Sequence, residues 1–285
     1  MQFQPRCREC LLSRVEYEAG LILDDPVRIM EIRKAAESVL EGGQQQRVPA
    51  PVLASAVHRC AYDLIGCDDP YLRLKERDNA EALVAADAIG PELLTFHDHV
   101  LAAVLGNTFD YGVASHHVTR DYLSFFSAGR RQGLAIDDTD RVLPLCRRVV
   151  YIADNCGEIV FDRLLIRYLK SMGSDVTFVV RGAPILNDAT IADALALGLD
   201  AVADRLTTTT RGERELGVNL DLIPEDLADA LERCTLVIAK GMANYESLTD
   251  YNDILPVVHL MAVKCETIAE MTGVPKGSAV ALLRE

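Results

Sequence analysis

The sequence predicts an α/β protein: a Rossmann-like, three-layer αβα domain with a mainly parallel sheet, plus an all-helical N-terminal portion. Beyond residue 146, short apolar runs rich in β-branched residues alternate with helical patterns, as in βαβ units. Before that point, apolar residues recur at three- and four-residue spacings, and almost nothing alternates with period two. We therefore divide the chain into a helical portion, 1–145, and an α/β domain, 146–285.

The helical portion shows its periodicity most clearly in Glu31–Leu40, Val52–Ile65 and Ala80–Ala88. Gly42-Gly43 and Pro49-Ala-Pro51 separate these segments. Because glycine and proline end helices, we expect several short helices rather than one long one.

The α/β half contains five strand-like runs: Val149–Ala153, Val176–Val180, Ala201–Val202, Leu236–Ala239 and Val257–Val263. Three helical patterns lie between them: Glu158–Met172, Ala189–Leu197 and Glu225–Arg233. Runs that are apolar throughout, rather than alternating, indicate strands of a parallel sheet whose two faces are both covered.

Composition and charge restrict the partners. The 285 residues are 49% hydrophobic, and 29 basic against 43 acidic residues give a net charge of −14. Such a surface repels nucleic acid, so a small anionic substrate would need local basic residues or a metal ion. No apolar run reaches the roughly 18–20 residues of a membrane span, and the N-terminus lacks a signal core. We expect a cytoplasmic protein without a membrane partner, its eight cysteines present as thiols; its oligomeric state stays open.

Polar side chains follow the predicted strands. In open parallel sheets, ligands bind outside the carboxyl ends of the strands, so side chains at these positions should meet at one edge. They are Asp154, Asn155 and Glu158 after the first strand, Arg181 and Asp188 after the second, Lys240 and Gly241 after the fourth, and Lys264 after the fifth.

These residue types favour phosphate chemistry. Asp154, Asn155 and Asp188 offer hard oxygen ligands, which suit Mg²⁺, Mn²⁺ or a similar ion. Lys240 and Lys264 supply positive charge for a phosphate.

Glu158 is a candidate to orient or deprotonate a water, and we assign Arg181 and Gly241 to the substrate. Each motif alone has a simpler interpretation, namely a turn, a helix cap or a solvated strand end. Their joint occurrence at one edge favours a site.

Several ordered blocks of the chain match a known family: Asp154-Asn-Cys-Gly-Glu158-Ile-Val-Phe-Asp162, Arg181-Gly-Ala-Pro-Ile-Leu-Asn187-Asp188-Ala-Thr190, Lys240-Gly-Met-Ala-Asn244-Tyr-Glu246, Gly106-Asn107-Thr-Phe-Asp110, Lys264-Cys265 and Cys7-Arg-Glu-Cys10. In these blocks, which span nearly the whole chain, the sequence resembles the damage-control phosphatases, once known only as a domain of unknown function. It is most similar to their compact, largely prokaryotic branch.

The resemblance implies a phosphatase that uses one divalent ion, Mn²⁺, Co²⁺, Ni²⁺ or Mg²⁺. Its substrates would be phosphate monoesters of small metabolites, such as sugar phosphates or damaged phosphorylated metabolites. The family's metal ligands fall on Asp154, Asn155 and Asp188.

The resemblance also assigns residues around the phosphate. It implies that Lys240 and Asn244 face the phosphate, together with Lys264 and Glu158. Asn107 and Asp110 would bring the helical portion into the site, although a helix cap or turn also explains them. These assignments therefore predict a crevice in a catalytic domain, 146–285, that the helical portion, 1–145, caps.

Two other functions stay open. A non-catalytic protein that binds a phosphorylated metabolite would use the same lysines without a metal. A nucleotide- or S-adenosylmethionine-dependent transferase would need a glycine-rich turn after the first strand, and the sequence has neither that turn nor a GxxxxGK[ST] loop.

The remaining candidate ligands are less specific. Cys7 and Cys10 have the spacing of half a metal site, so free thiols, a metal site and a redox pair all stay open. The histidines are expected on helix surfaces or in loops: His97, His99, His116 and His117.

Overall fold

The computed structural model describes residues 1–108, 122–251, 254 and 256–285. The predicted His116, His117 and Asp110 lie outside the described residues. In the first half, the described chain forms helices α1 (Cys7–Gly20), α2 (Pro26–Gln45), α3 (Ala50–Ile65), α4 (Leu72–Ile89), α5 (Phe96–Gly106) and α6 (Tyr122–Gln132).

The second half alternates strands and helices. Its elements are β1 (Ile136–Asp137), α7 (Thr139–Val142), β2 (Arg148–Ile152), α8 (Glu158–Ser171), β3 (Asp175–Val180), α9 (Ile191–Ala196), β4 (Arg205–Thr208), α10 (Glu225–Arg233), β5 (Leu236–Lys240), α11 (Gly241–Leu248), β6 (Val257–Ala262), α12 (Glu266–Thr272) and β7 (Ala279–Arg284). None of the helices in the described ranges combines the length and apolarity needed to cross a bilayer.

The strands form one seven-stranded sheet in the order β1-β7-β6-β5-β2-β3-β4. All neighbours are parallel except β6 and β7. From β2 the chain builds β3 and β4 on one side and then returns to build β5 and β6 on the other. The strand order therefore reverses between β2 and β5, which defines a topological switch point.

Successive residues of β2 pack on opposite faces of the sheet, as the pleat requires. Val149 and Tyr151 join the core formed with α4, α5 and α8. Val150 and Ile152 join a second core with Leu227 of α10. Helices thus cover both faces, and the predicted three-layer α/β fold is confirmed.

The N-terminal helices divide between two cores. Helices α1, α2 and α3 share a core of their own, which includes Leu12, Val15 and Ile32. Helices α4, α5 and α6 contribute to the same core as the sheet. The division at residue 145 stays a prediction, and the later helices of the capping portion are continuous with the layer above the sheet.

Local signals explain several helix starts. Asp25 caps α2 by accepting hydrogen bonds from the N–H groups of Val27 and Arg28, and Pro26 occupies the first turn. Thr95 begins α5 with a reciprocal capping box to Asp98.

One predicted strand was wrong, and two strands were not anticipated. Ala201 and Val202 lie in a turn, and the strand begins later, at Arg205. Val202 packs against the core from that turn, so its apolar character indicated burial rather than a strand. The structure adds β1 and β7 at one edge of the sheet.

Candidate active site

The crevice at the switch point lies between the carboxyl ends of β2 and β5. Asp154 follows β2, while Lys240 ends β5 and Gly241 begins α11. The ends of β2 and β5, which are far apart in sequence, are therefore neighbours in space. This is the position at which open α/β sheets bind ligands.

A short backbone bridge brings the three predicted metal ligands together. Residues Asn155 and Asp188 form an isolated antiparallel bridge between the loops that follow β2 and β3. The N–H of Ala189 donates to the carbonyl of Asp154 at 2.8 Å, and the N–H of Cys156 donates to the carbonyl of Asn187 at 2.8 Å. The backbone thus places Asp154, Asn155 and Asp188 side by side, all buried.

The Arg181 guanidinium joins the two aspartates. Its Nε donates to Asp188 Oδ2 at 2.5 Å, and its Nη2 donates to Asp154 Oδ1 at 3.3 Å. Its Nη1 donates to the Gly217 carbonyl at 2.6 Å and to Asn244 Oδ1 at 3.0 Å. Arg181 is 1% exposed, so its charge acts inside the site.

Two carboxamides hold the acidic side chains in place. Asn107 Nδ2 donates to Glu158 Oε2 at 2.7 Å and to Asp154 Oδ2 at 3.2 Å, while its Oδ1 accepts the N–H of Ala262 at 3.1 Å. Asn155 Nδ2 donates to the same two carboxylates, at 2.9 Å to Asp154 and 3.2 Å to Glu158. Through Asn107, the helical portion enters the site.

Lys240 lies beneath the crevice rather than in an open position. Its ammonium forms ion pairs with Glu158 and Asp162 and donates to the Ala103 carbonyl at 2.9 Å, so three acceptors meet its three N–H bonds. Burial acts to lower the pKa of Lys240, but Asp162 and Glu158 outweigh it and the pKa is raised. The ammonium therefore stays charged and neutralises carboxylates within the protein.

Asp162 and Tyr151 complete this network, and no role was predicted for either residue. The Tyr151 hydroxyl donates to Asp162 Oδ1 at 2.7 Å. Burial raises the pKa of Asp162 to about 7, although Lys240 opposes the shift. The available signal was spacing, since Asp162 lies one helical turn after Glu158 on α8 and faces the same way.

Gly241 and Asn244 connect the ends of β2 and β5. Gly241 has a φ of +74°, and a Cβ there would lie 1.8 Å from Asp154 Oδ2, so the backbone rests against that carboxylate. Asn244 Nδ2 donates to the Ala153 carbonyl at 3.0 Å and to the Lys240 carbonyl at 2.7 Å. These contacts fix the width of the crevice.

Lys264 approaches the site from the end of β6. Its backbone N–H donates to Met242 Sδ at 3.4 Å. Its charge acts to lower the pKa of Asp154, and its side chain lines an open cavity together with Met242. Among the predicted cations, Lys264 thus combines proximity to Asp154 with access to a cavity.

The Gly157 turn rests on residues that sequence reasoning missed. Gly157 has a φ of +77°, and its N–H donates to Asn79 Oδ1 at 2.6 Å. Beside it, Lys75 forms ion pairs with Asp69 at 3.0 Å and Asp193 at 2.8 Å. Lys75 and Asn79 belong to α4, Asp69 precedes that helix, and Asp193 lies in α9. The first three are remote from any strand end, so the strand-end rule does not point to them.

The electrostatics of the cluster fit a cation. Burial raises the pKa of Asp154 well above its ordinary value, and the neighbouring Asp188 and Glu158 add to the shift. Arg181 and Lys264 only partly offset this repulsion. The acidic cluster would be stabilised by a further positive charge.

The donor set fits a hard divalent ion. Within the described ranges, no group of three or more His, Cys, Asp and Glu side chains is already arranged to hold a metal. The predicted set instead combines two carboxylates with the Asn155 carboxamide, all oxygen donors of the kind that Mg²⁺ and Mn²⁺ accept. The residues therefore fit the ion that the resemblance implies.

Comparison with known proteins shows which family the chain belongs to. The family model of the damage-control phosphatase ARMT1-like domain matches residues 3–280. A damage-control phosphatase of Archaeoglobus fulgidus is 38% identical over 291 residues, covering all of both chains. The damage-control phosphatase PH1575 of Pyrococcus horikoshii is 28% identical and covers 99% of this chain and 98% of its own.

The fold matches as well. The crystal structure of the DUF89 family protein PH1575 superposes with a TM-score of 0.86 at 27% identity, over the full length of both chains. These matches confirm the predicted resemblance and, with it, a phosphatase as the class of enzyme. The chain therefore belongs to the damage-control phosphatase ARMT1-like family.

Proposed function

We propose that the protein hydrolyses phosphate monoesters of small metabolites with one divalent metal ion held by Asp154, Asn155 and Asp188. One observation carries the proposal: these three side chains meet Glu158 in a buried cluster at the switch point, where acidic groups outnumber cations. Mn²⁺, Co²⁺, Ni²⁺ and Mg²⁺ are all candidates, because oxygen donors discriminate poorly between them.

The ion, when bound, would supply positive charge to a phosphoryl oxygen. Lys264 is placed to bind another oxygen of the phosphate from the cavity side of the crevice. Arg181 orients the two aspartates through its bonds to Asp154 and Asp188. Asn244 holds Arg181 in turn, so its predicted role at the phosphate is exerted through the guanidinium.

Glu158 is the proposed general base, which would orient the attacking water and accept its proton. Its two oxygens are held separately, Oε1 by Lys240 and Oε2 by Asn107 and Asn155. Lys240 is therefore a positioning residue that acts through Glu158. A base held by several partners retains its geometry without reorganisation during the reaction.

Gly241 contributes space rather than a functional group, because any side chain there would collide with Asp154. The role of Asp110 stays a prediction. We also propose a cytoplasmic location, which the eight free cysteines support. The net charge of −14 favours a small phosphorylated metabolite over a nucleic acid as the substrate.

The metal requirement can be tested on chelator-stripped protein with p-nitrophenyl phosphate and each of the four ions. We expect hydrolysis to disappear on stripping and to return with at least one ion. Asp154→Ala should lower kcat/KM by about 100-fold or more with every ion, because it removes one of the proposed ligands of the ion that stabilises charge on the phosphoryl group.

Asp175→Ala is the matched control. Asp175 is a partly exposed carboxylate at the start of β3, where it pairs with Arg205 at the opposite end of the sheet. Its loss should leave kcat/KM within about twofold, as for a surface ion pair. Inactivity with every ion, or full activity in Asp154→Ala, would contradict the proposal.

A further inference from the structure

A cavity of about 450 Å³ lies beside the proposed phosphate site. Helices α1, α3 and α11 and the start of α12 form its walls. Its volume falls in the usual range of small-molecule pockets, roughly 300–1,000 Å³. It is therefore large enough for much more than a phosphate group.

Three residues connect the cavity to the site. Lys264 lines the cavity, and its backbone N–H donates to Met242 Sδ at 3.4 Å, so the end of β6 contacts the start of α11. Met242 lines it and directly follows Gly241, whose backbone rests against that carboxylate. Leu186 lies two residues before Asp188 and forms part of the wall. A phosphate held at the site would thus have its ester oxygen near the cavity.

Leu186 adopts a conformation that is unfavourable for leucine. Its φ is +51°, in the left-handed region, and its N–H donates to the Tyr62 hydroxyl at 2.9 Å. Such a conformation is strained for a residue with a side chain and persists where the surroundings impose it. Here it places a leucine in the cavity wall directly before the metal-binding segment.

The walls of the cavity are mainly apolar. Phe3, Leu11, Leu186, Leu216 and Met242 contribute large apolar side chains. Charged or ionisable side chains also border it: Arg6, Arg14, His58, Glu246, Glu266 and Lys276. Most of the surface that faces the cavity is nevertheless apolar. A ligand ring that covers this surface removes it from water, and the gain grows with the apolar area buried. The lining therefore favours a ligand with an apolar body.

We propose that this cavity binds the organic part of the substrate, and that the preferred substrates are phosphate monoesters whose alcohol carries an apolar, ring-sized group. The inference rests on the proposed function, which supplies the phosphate site beside the cavity. Within the class of small metabolites, it favours esters with a planar or aliphatic ring.

Alkyl phosphates with similar leaving groups test this preference. We compare 2-phenylethyl phosphate with ethyl phosphate, since both release a primary alcohol and differ chiefly in the ring. Burial of the ring predicts a kcat/KM larger by about tenfold or more for the phenylethyl ester. Ala54→Phe narrows the cavity and should reduce this ratio, whereas Ala35→Phe on α2, outside the cavity, should not.

A second measurement does not depend on turnover. Three thiols line the cavity, those of Cys7, Cys10 and Cys265, whereas the partly exposed Cys60 and Cys67 do not. We expect 2-phenylethyl phosphonate, added to Mn²⁺-loaded protein, to slow alkylation of the three cavity thiols by N-ethylmaleimide. The rates at Cys60 and Cys67 should be unchanged, and inorganic phosphate should protect none of the five. Peptide mass spectrometry gives each rate.

The protection experiment decides the inference. Protection of the cavity thiols without hydrolysis would contradict the proposed function and leave the cavity as a ligand site. Hydrolysis with equal kcat/KM for the two esters and no protection of the cavity thiols would overturn the inference and leave the phosphatase intact. Protection would also show that Cys7 and Cys10 of α1 border a ligand site.

Discussion

At the scale of single residues, the position of Asp154 depends on a glycine. Gly241 lets β5 turn into α11 directly against the carboxylate, with a φ of +74° and no room for a Cβ. Two separate demands therefore fall on one residue: a left-handed backbone and an absent side chain. These demands can be separated by comparison with a second glycine.

Gly241→Ala should abolish most of the activity, because the added Cβ displaces Asp154. Gly273→Ala is the matched control, since Gly273 has a φ of +73° but nothing within 4 Å of a built Cβ. Both variants should lose about 1–2 kcal/mol from backbone strain, measured by urea unfolding. An equal loss of kcat/KM in the two variants would contradict the role assigned to Gly241.

Residue identity predicted the members of the site better than their contacts. The strand-end rule led to Asp154, Asp188 and Lys240 because each follows a recognisable apolar run. It could not show that Lys240 points into the protein, since one of its acceptors is the carbonyl of Ala103, 137 residues away on α5. Pairing partners of buried charges depend on tertiary packing, which a single sequence does not specify.

At the scale of elements, one buried ion network fastens β5 to α8. Lys240 contributes the cation, and Glu158 and Asp162 contribute carboxylates one helical turn apart. All three side chains are 0% exposed. Removing the cation would leave two like charges in a medium that solvates them poorly.

Lys240→Met should therefore lower the free energy of unfolding by about 3–5 kcal/mol at pH 8. Lys170→Met, on the helix that carries Glu158 and Asp162, is the control. It breaks a partly exposed pair with Asp204 and should cost less than about 1 kcal/mol. Adding Asp162→Asn to Lys240→Met should recover part of the loss. Urea unfolding measures all three, and equal losses in the two lysine variants would refute the network's role.

Element prediction succeeded where periodicity was long and failed at the sheet edges. Helix α10 was predicted at Glu225–Arg233, the bounds that the structure shows, because its apolar stripe is regular. Strand β7 was not predicted, because a single short apolar run such as Ala279–Arg284 does not distinguish a strand from a helix. Its antiparallel pairing with β6 depends on contacts remote in sequence.

At the scale of the whole molecule, one buried histidine should make the protein less stable in acid. His259 on β6 is 0% exposed, and neither ring nitrogen has a hydrogen-bond partner among the described residues. Burial, with a contribution from Arg284, lowers the pKa of His259 from an ordinary value of 6.5 to about 3. Below pH 6.5 His259 therefore binds a proton in the unfolded chain but not in the folded protein.

The contribution of His259 to the free energy of unfolding therefore becomes more unfavourable as the pH falls from 6.5 toward 3. At pH 5 the histidine should reduce the free energy of unfolding by about 2 kcal/mol relative to pH 8. His259→Phe, which keeps a ring beside Tyr245, should shrink the difference between pH 5 and pH 8 by about that amount. Urea unfolding at both pH values gives the result, and an unchanged difference would refute the assignment.

The contacts of the Asn107 carboxamide determine when the active site can form during folding. It joins Asp154 and Glu158 to the backbone of Ala262, 155 residues further along the chain. The crevice cannot be completed until β6 has docked, and contacts of such long range form slowly. During refolding, recovery of far-ultraviolet circular dichroism should therefore precede recovery of activity, and catalysis becomes a reporter of the last step of assembly.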